Sequence, residues 1–139
     1  MRQTVSPFGV LALTLVACAN NPGPGESGYP YNLTGTYQAV FVVQGEDSRG
    51  TMELSTDRGG VVNGSFLITD PPGVGSGTVE GRIVADTIDF QMPYERNGDC
   101  NGVIRGRSRI APGGASFGGE IGIDDSCDGE LSGTLEIRR

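Results

Sequence analysis

Three sets of side chains in this sequence are able to do chemistry. The first is a group of carboxylates beside turn-forming stretches: Glu46, Asp47, Asp70, Glu95, Asp99, Asp124, Asp125 and Asp128. Paired carboxylates support glycoside hydrolysis, and loop carboxylates hold Ca²⁺ through several oxygens. Asp99, Asp124, Asp125 and Asp128 are the calcium candidates, although no EF-hand spacing is present. Turns favour Asp and surfaces favour charge, so the plain expectation is a solvated acidic rim. The second set is Arg105, Arg107 and Arg109, which alternate with other residues. They form either a stripe for an anion or a partner, or cross-strand pairs with acids such as Glu120 and Glu130. The third set is the cysteines Cys18, Cys100 and Cys127.

What is missing narrows the chemistry further. The chain has 139 residues, with 0 His and no lysine among its basic residues. Without His, a Ser-His-Asp constellation is excluded, and the usual base near neutral pH and the commonest metal ligand are both absent. A cysteine nucleophile would lack its partner base. The stretch Gly73-Val74-Gly75-Ser76-Gly77-Thr78 looks superficially like a phosphate loop, but it lacks the lysine and precedes a strand. No catalytic residue, resident metal or cofactor is therefore assigned, and a non-catalytic protein is expected. A carboxylate-based hydrolase is kept only as a remote alternative. The formal net charge of −7 argues against nucleic acid as a partner, because phosphate recognition needs a positive face. It also argues against docking on anionic lipid by charge alone.

The elements that must position these residues are strands. From Leu33 onward, apolar and polar residues alternate in short runs separated by turn residues, and no segment sustains a helical period. Eight strands are expected, at 35–44, 50–55, 61–69, 77–84, 87–94, 100–110, 116–123 and 127–138. Short connections make neighbours in sequence pair antiparallel, as a meander. Two closed solutions exist, a small up-and-down barrel and a two-sheet sandwich. The barrel is preferred because Gly64, Gly81, Gly106, Gly119 and Gly133 fall on the inward face. Glycine there permits close strand approach and sharp bending. Phe41, Phe66, Phe90, Phe117 and Leu135 are large enough to fill such an interior, or an eight-stranded barrel leaves room for one small ligand.

The N-terminal region carries an address. Met1-Arg2-Gln3 precedes an apolar stretch from Phe8 to Ala17 that is too short to span a bilayer comfortably. It ends in Leu15-Val16-Ala17-Cys18, which resembles the lipobox of bacterial lipoproteins. That resemblance implies a cleaved signal peptide at 1–17 and a lipid on Cys18. It implies a bacterial envelope location with the domain in the periplasm or at the cell surface. Ala19 lies where aspartate favours inner-membrane retention in the enteric pattern, so the resemblance favours the outer membrane. Residues 18–31, rich in Pro and Gly, are expected to be a flexible linker with a reach under about 50 Å. The barrel domain is expected at 32–139. The mature chain would carry nine arginines against 17 acids.

Cys100-Asn101-Gly102-Val103-Ile104-Arg105-Gly106 is echoed by Cys127-Asp128-Gly129-Glu130-Leu131-Ser132-Gly133. The two segments begin the sixth and eighth strands, which run the same way, so both cysteines belong at one rim. With Cys18 taken by lipid and the compartment oxidising, a Cys100–Cys127 disulfide is expected. Gly35-Thr36-Tyr37, the echoed motif and the ending Ser132-Gly133-Thr134-Leu135-Glu136-Ile137-Arg138 resemble small bacterial lipoproteins of unassigned role. The domain resembles calycin-like barrels in pattern only, since the Gly-x-Trp motif of lipocalins is absent. The functional expectation is a lipid-anchored barrel that binds an envelope protein or component. The alternative is lipocalin-like binding of a small apolar ligand inside the barrel.

Overall fold

The computed structural model describes residues 21–139; the expected signal peptide at 1–17, Cys18 and Ala19 lie outside them. Strict alternation gives eight strands: β1 (Gly35–Val43), β2 (Glu46–Thr56), β3 (Val61–Asp70), β4 (Gly75–Val84), β5 (Thr87–Arg96), β6 (Cys100–Arg109), β7 (Ser116–Asp125) and β8 (Gly129–Arg138). Each pairs antiparallel with the next, and β8 closes on β1, with Phe41 opposite Leu135 and Ala39 opposite Ile137. The meander is therefore a closed barrel, and the two-sheet sandwich is ruled out. No helix of the described residues is long and apolar enough to cross a membrane.

The inward parity of the strands fills the interior. Tyr37, Met52, Val62, Ile88, Met92 and Ile137 are almost wholly buried, and Phe41, Phe66, Phe90, Phe117 and Leu135 join them. Phe117 packs edge-on against both Tyr37 and Phe90, with ring centroids 6.1 and 5.9 Å apart, a favourable arrangement for aromatic quadrupoles. Phe90 lies directly opposite Gly106. A Cβ on Gly106 would stand 2.5 Å from Cζ of that ring, so the glycine makes room for the phenylalanine.

Strand β2 begins at Glu46, four residues before the expected start. Gln44 and Gly45 both have positive φ, 53° and 79°, the backbone of a two-residue type I′ hairpin that lets the ladder run to the turn. The β6–β7 ladder is short, from Gly102 opposite Asp125 to Gly106 opposite Ile121. Beyond it the strands part around a 3-10 turn at Pro112–Gly114, and the Gly118 amide donates to Ser108 Oγ at 2.8 Å in place of a ladder bond.

The two ends of the barrel differ. The turns after β1, β3, β5 and β7 surround one end, here called the mouth. The other end, the base, is closed by the chain that precedes β1. Leu33 is wholly buried there, and Tyr29 and Tyr31 pack on the core. The Tyr29 hydroxyl donates to Ala85 O at 2.7 Å, and the Gly113 amide donates to Pro30 O at 2.7 Å. The Glu26 carboxylate accepts from the Gly23 amide and from Arg58 Nε, both at 3.1 Å. The stretch from Gly23 to Tyr31, expected to be a flexible spacer, is thus docked, because its tyrosines and Leu33 cover an otherwise open end. Arg139 clamps the same end. Its guanidinium donates to Gly114 O, Asn32 O and Thr34 O at 3.0–3.2 Å and stacks 5.1 Å from the centre of the Tyr37 ring.

Candidate functional site at the barrel mouth

The inward parity of β5 ends in Tyr94 and Arg96, and that of β7 ends in Asp125. These three meet inside the mouth. Arg96 Nε and Nη2 donate to the two oxygens of Asp125, each at 2.8 Å, and Nη2 also donates to Asp128 Oδ2 at 2.8 Å. The Tyr94 hydroxyl donates to Asp125 Oδ2. The amides of Cys127 and Asp128 donate to Asp125 Oδ1 at 2.8 and 3.0 Å. The side chain of Asp125 is only 1% exposed. Its charge is tolerated because a bidentate guanidinium and three further donors compensate it.

The same contacts fix the protonation states. Hydrogen bonding to Arg96 holds the Asp125 carboxyl far below the ordinary carboxylate range, against an upward push from burial, with Tyr94 and the two amides adding to the effect. Burial, then the hydrogen bond and charge of Asp125, raise the Tyr94 phenol. The hydrogen bond to Asp125 raises Arg96. All three groups therefore keep one charge state near neutral pH. Asp125 is no general acid, since a proton donor needs a raised value.

Above this network lies a cleft of about 230 Å³. Phe41, Phe66, Ile68, Val74, Ile104 and Leu131 make its apolar surface, and Glu46, Tyr94, Arg96, Asp125 and Asp128 make its polar one. The rest of the interior is taken up by side chains.

Cys100 and Cys127 are bonded to each other at this rim, with their Cα atoms 5.6 Å apart. They stand at the start of β6 and in the β7–β8 turn, so the bond pins that turn beside β6. Cys100, Asp125 and Cys127 lie together with the spacing of a metal site, but both sulfurs are spent in the disulfide and both Asp125 oxygens are hydrogen-bonded.

The four calcium candidates are not brought together. Asp124 and Asp125 are consecutive in a strand and point to opposite faces. Asp124 faces outward and pairs with Arg105 at 3.0 Å, while Asp125 faces inward. Asp128 is held by Arg96, and Asp99 sits in the exposed β5–β6 turn with φ 61°. Arg105, Arg107 and Arg109 all face outward and each has an acid beside it. The pairs are with Asp124, with Asp89 at 3.5 Å and with Asp86 at 3.9 Å, instead of the expected Glu120 and Glu130. Asp89 is directly opposite Arg107 on β5.

Both halves of the barrel are net negative, the mouth more so than the base. The mouth half carries nine carboxylates, the eight predicted ones and Glu130, against Arg49, Arg96 and Arg105. The base half carries eight, Glu26, Glu53, Asp57, Glu80, Asp86, Asp89, Glu120 and Glu136, against six arginines, Arg58, Arg82, Arg107, Arg109, Arg138 and Arg139.

No protein-family model matches the chain, and no curated protein matches it in sequence. Among solved structures it is similar to redesigned β-barrels. One, b11L5F_LGL, superposes with a TM-score of 0.55 at 22% identity, covering 77% of this chain and 90% of that one. Another, mFAP1 bound to DFHBI, superposes with a TM-score of 0.56 at 19% identity over 77% of this chain and 94% of that one. A third, EF1p2_mFAP2b bound to DFHBI, gives 0.56 at 16% identity, with 77% and 93% covered. At these identities the likeness establishes a shared eight-stranded barrel fold.

Proposed function

We propose that this protein is a non-catalytic, lipid-anchored envelope lipoprotein whose barrel binds an envelope protein or component at its mouth, facing away from the membrane. The observation that carries this reading is the route of the chain at the base. The segment from Gly23 is docked on the end opposite the mouth, and four residues separate Gly23 from Cys18, a span of at most about 18 Å. A lipid on Cys18 would hold the base towards the bilayer and leave the acidic mouth outward. The uneven charge supports the same orientation, since the more acidic half is the one anionic head groups repel more strongly. The locked state of Asp125 supports a non-catalytic mouth. Labelling cells with a palmitate analogue tests the anchor. The wild-type chain should take up label and fractionate with membranes, and Cys18→Ser should do neither. Label retained by Cys18→Ser would contradict the reading.

A second reading, that the mouth takes a small apolar ligand, is favoured by the cleft beside Phe41, Phe66 and Ile104. Its volume suits a compact molecule at the barrel end, smaller than the pockets of about 300–1,000 Å³ that hold drug-sized ligands.

A further inference from the structure

We propose that the mouth cleft binds a small aromatic amine, its ring against Phe41, Phe66 and Ile104 and its ammonium group towards Glu46 and Asp128. The inference deepens the small-ligand reading and rests on it. Size comes first: a cleft of about 230 Å³ has the room of roughly eight waters, which suits one ring system. Shape and surface come next. Phe41 and Phe66 lie with centroids 5.7 Å apart and tilted by 39°, and with Ile104 and Leu131 they offer an apolar floor that rewards a flat, rigid guest.

Charge then selects among such guests. Four charged side chains line the cleft, namely Glu46, Arg96, Asp125 and Asp128. Arg96 and Asp125 are locked together with bidentate geometry, so neither is free to recognise a ligand. Glu46 is exposed and belongs to no ion pair found among the described residues. Asp128 gives one oxygen to Arg96 and stays 58% exposed, which leaves its other oxygen available. The cleft thus presents net negative charge above an aromatic floor, within the wider acidic field of the mouth. Such a field attracts cations and repels carboxylates, and an ammonium group gains further from the faces of nearby rings. A fatty acid or other anionic amphiphile would meet the wrong sign.

The test uses the full chain with Cys18→Ser, which needs no detergent, and three naphthalene probes that share the ring and carry a short substituent of different charge: 1-naphthylmethylamine, 1-naphthalenemethanol and 1-naphthoate. The chain has Trp 0, so naphthalene fluorescence is read without interference from indole. The amine should bind most tightly and the carboxylate least, with a spread on the order of tenfold at low salt that narrows as salt is added. Glu46→Gln should reduce the preference for the amine while leaving the alcohol unchanged. Leu131→Phe, which narrows the cleft, should weaken the amine and the alcohol together. Amine and carboxylate binding alike would overturn the charge inference and leave the small-ligand reading standing. No saturable binding of any probe below millimolar concentration would overturn both.

Discussion

Five donors converge on the two oxygens of Asp125: the Tyr94 hydroxyl, two nitrogens of Arg96 and the amides of Cys127 and Asp128. Breaking a buried pair by removing one partner leaves the other charge uncompensated. Asp125→Ala should therefore lower the free energy of unfolding by about 3 kcal/mol, measured by urea denaturation. The same residue predicts a pH dependence. Its carboxyl is depressed in the folded state, so its contribution is fully present above the unfolded carboxylate pKa, near about 4, and is lost as pH falls below that. The wild-type urea midpoint should drop between about pH 4 and pH 2 more steeply than that of Asp125→Asn. An equal slope in both would contradict the account. Part of this site was legible in the sequence: Tyr94 ends the expected fifth strand on its inward face, whereas Glu46, Arg96 and Asp125 fall outside the expected strands and face inward only because the ladders run further. Arg96 and Asp125, charged residues on that face, form the buried pair. What alternation leaves open is which charges meet, because that depends on strand register and barrel closure.

At the scale of elements, the repeated Cys-x-Gly motif serves two different needs. Gly102 lies under the Tyr94 ring, where a Cβ would stand 2.6 Å from the phenol oxygen. Gly129 instead has φ +76° at the start of β8. The disulfide joining the two motifs spans 27 residues. In the chain-entropy account, reducing it should cost about 3 kcal/mol of stability, seen as a lower urea midpoint in dithiothreitol. Gly106→Ala should cost about 1–3 kcal/mol, because its methyl group would run into the Phe90 ring. The outward arginines should matter little to the fold. Each exposed pair contributes about 0–1 kcal/mol, so Arg105→Gln, Arg107→Gln and Arg109→Gln together should shift the urea midpoint far less than Asp125→Ala. The strand count and parity were readable because period-2 alternation is unbroken from β1 to β8. The early start of β2 was not, because Gln44 takes a positive φ that its residue type does not advertise. The docking of Tyr29 and Tyr31 was masked by the Pro and Gly around them, which read locally as spacer.

Across the whole molecule, one end is sealed and nearly charge-balanced and the other is open and strongly acidic. Sealing the base uses the N-terminal segment itself, with Arg139 holding it through three carbonyl oxygens. With the chain already docked from Gly23, a lipid on Cys18 would hold the barrel close to the membrane with its mouth outward. Everything in this arrangement that concerns function depends on Cys18 being the lipidated first residue. Intact mass spectrometry of the protein extracted from its native envelope tests that most directly. The account predicts a chain of residues 18–139 with one intact disulfide and added mass from lipid at its N-terminal cysteine. A mass equal to the unmodified chain, or to one cleaved elsewhere with Cys18 free, would contradict it.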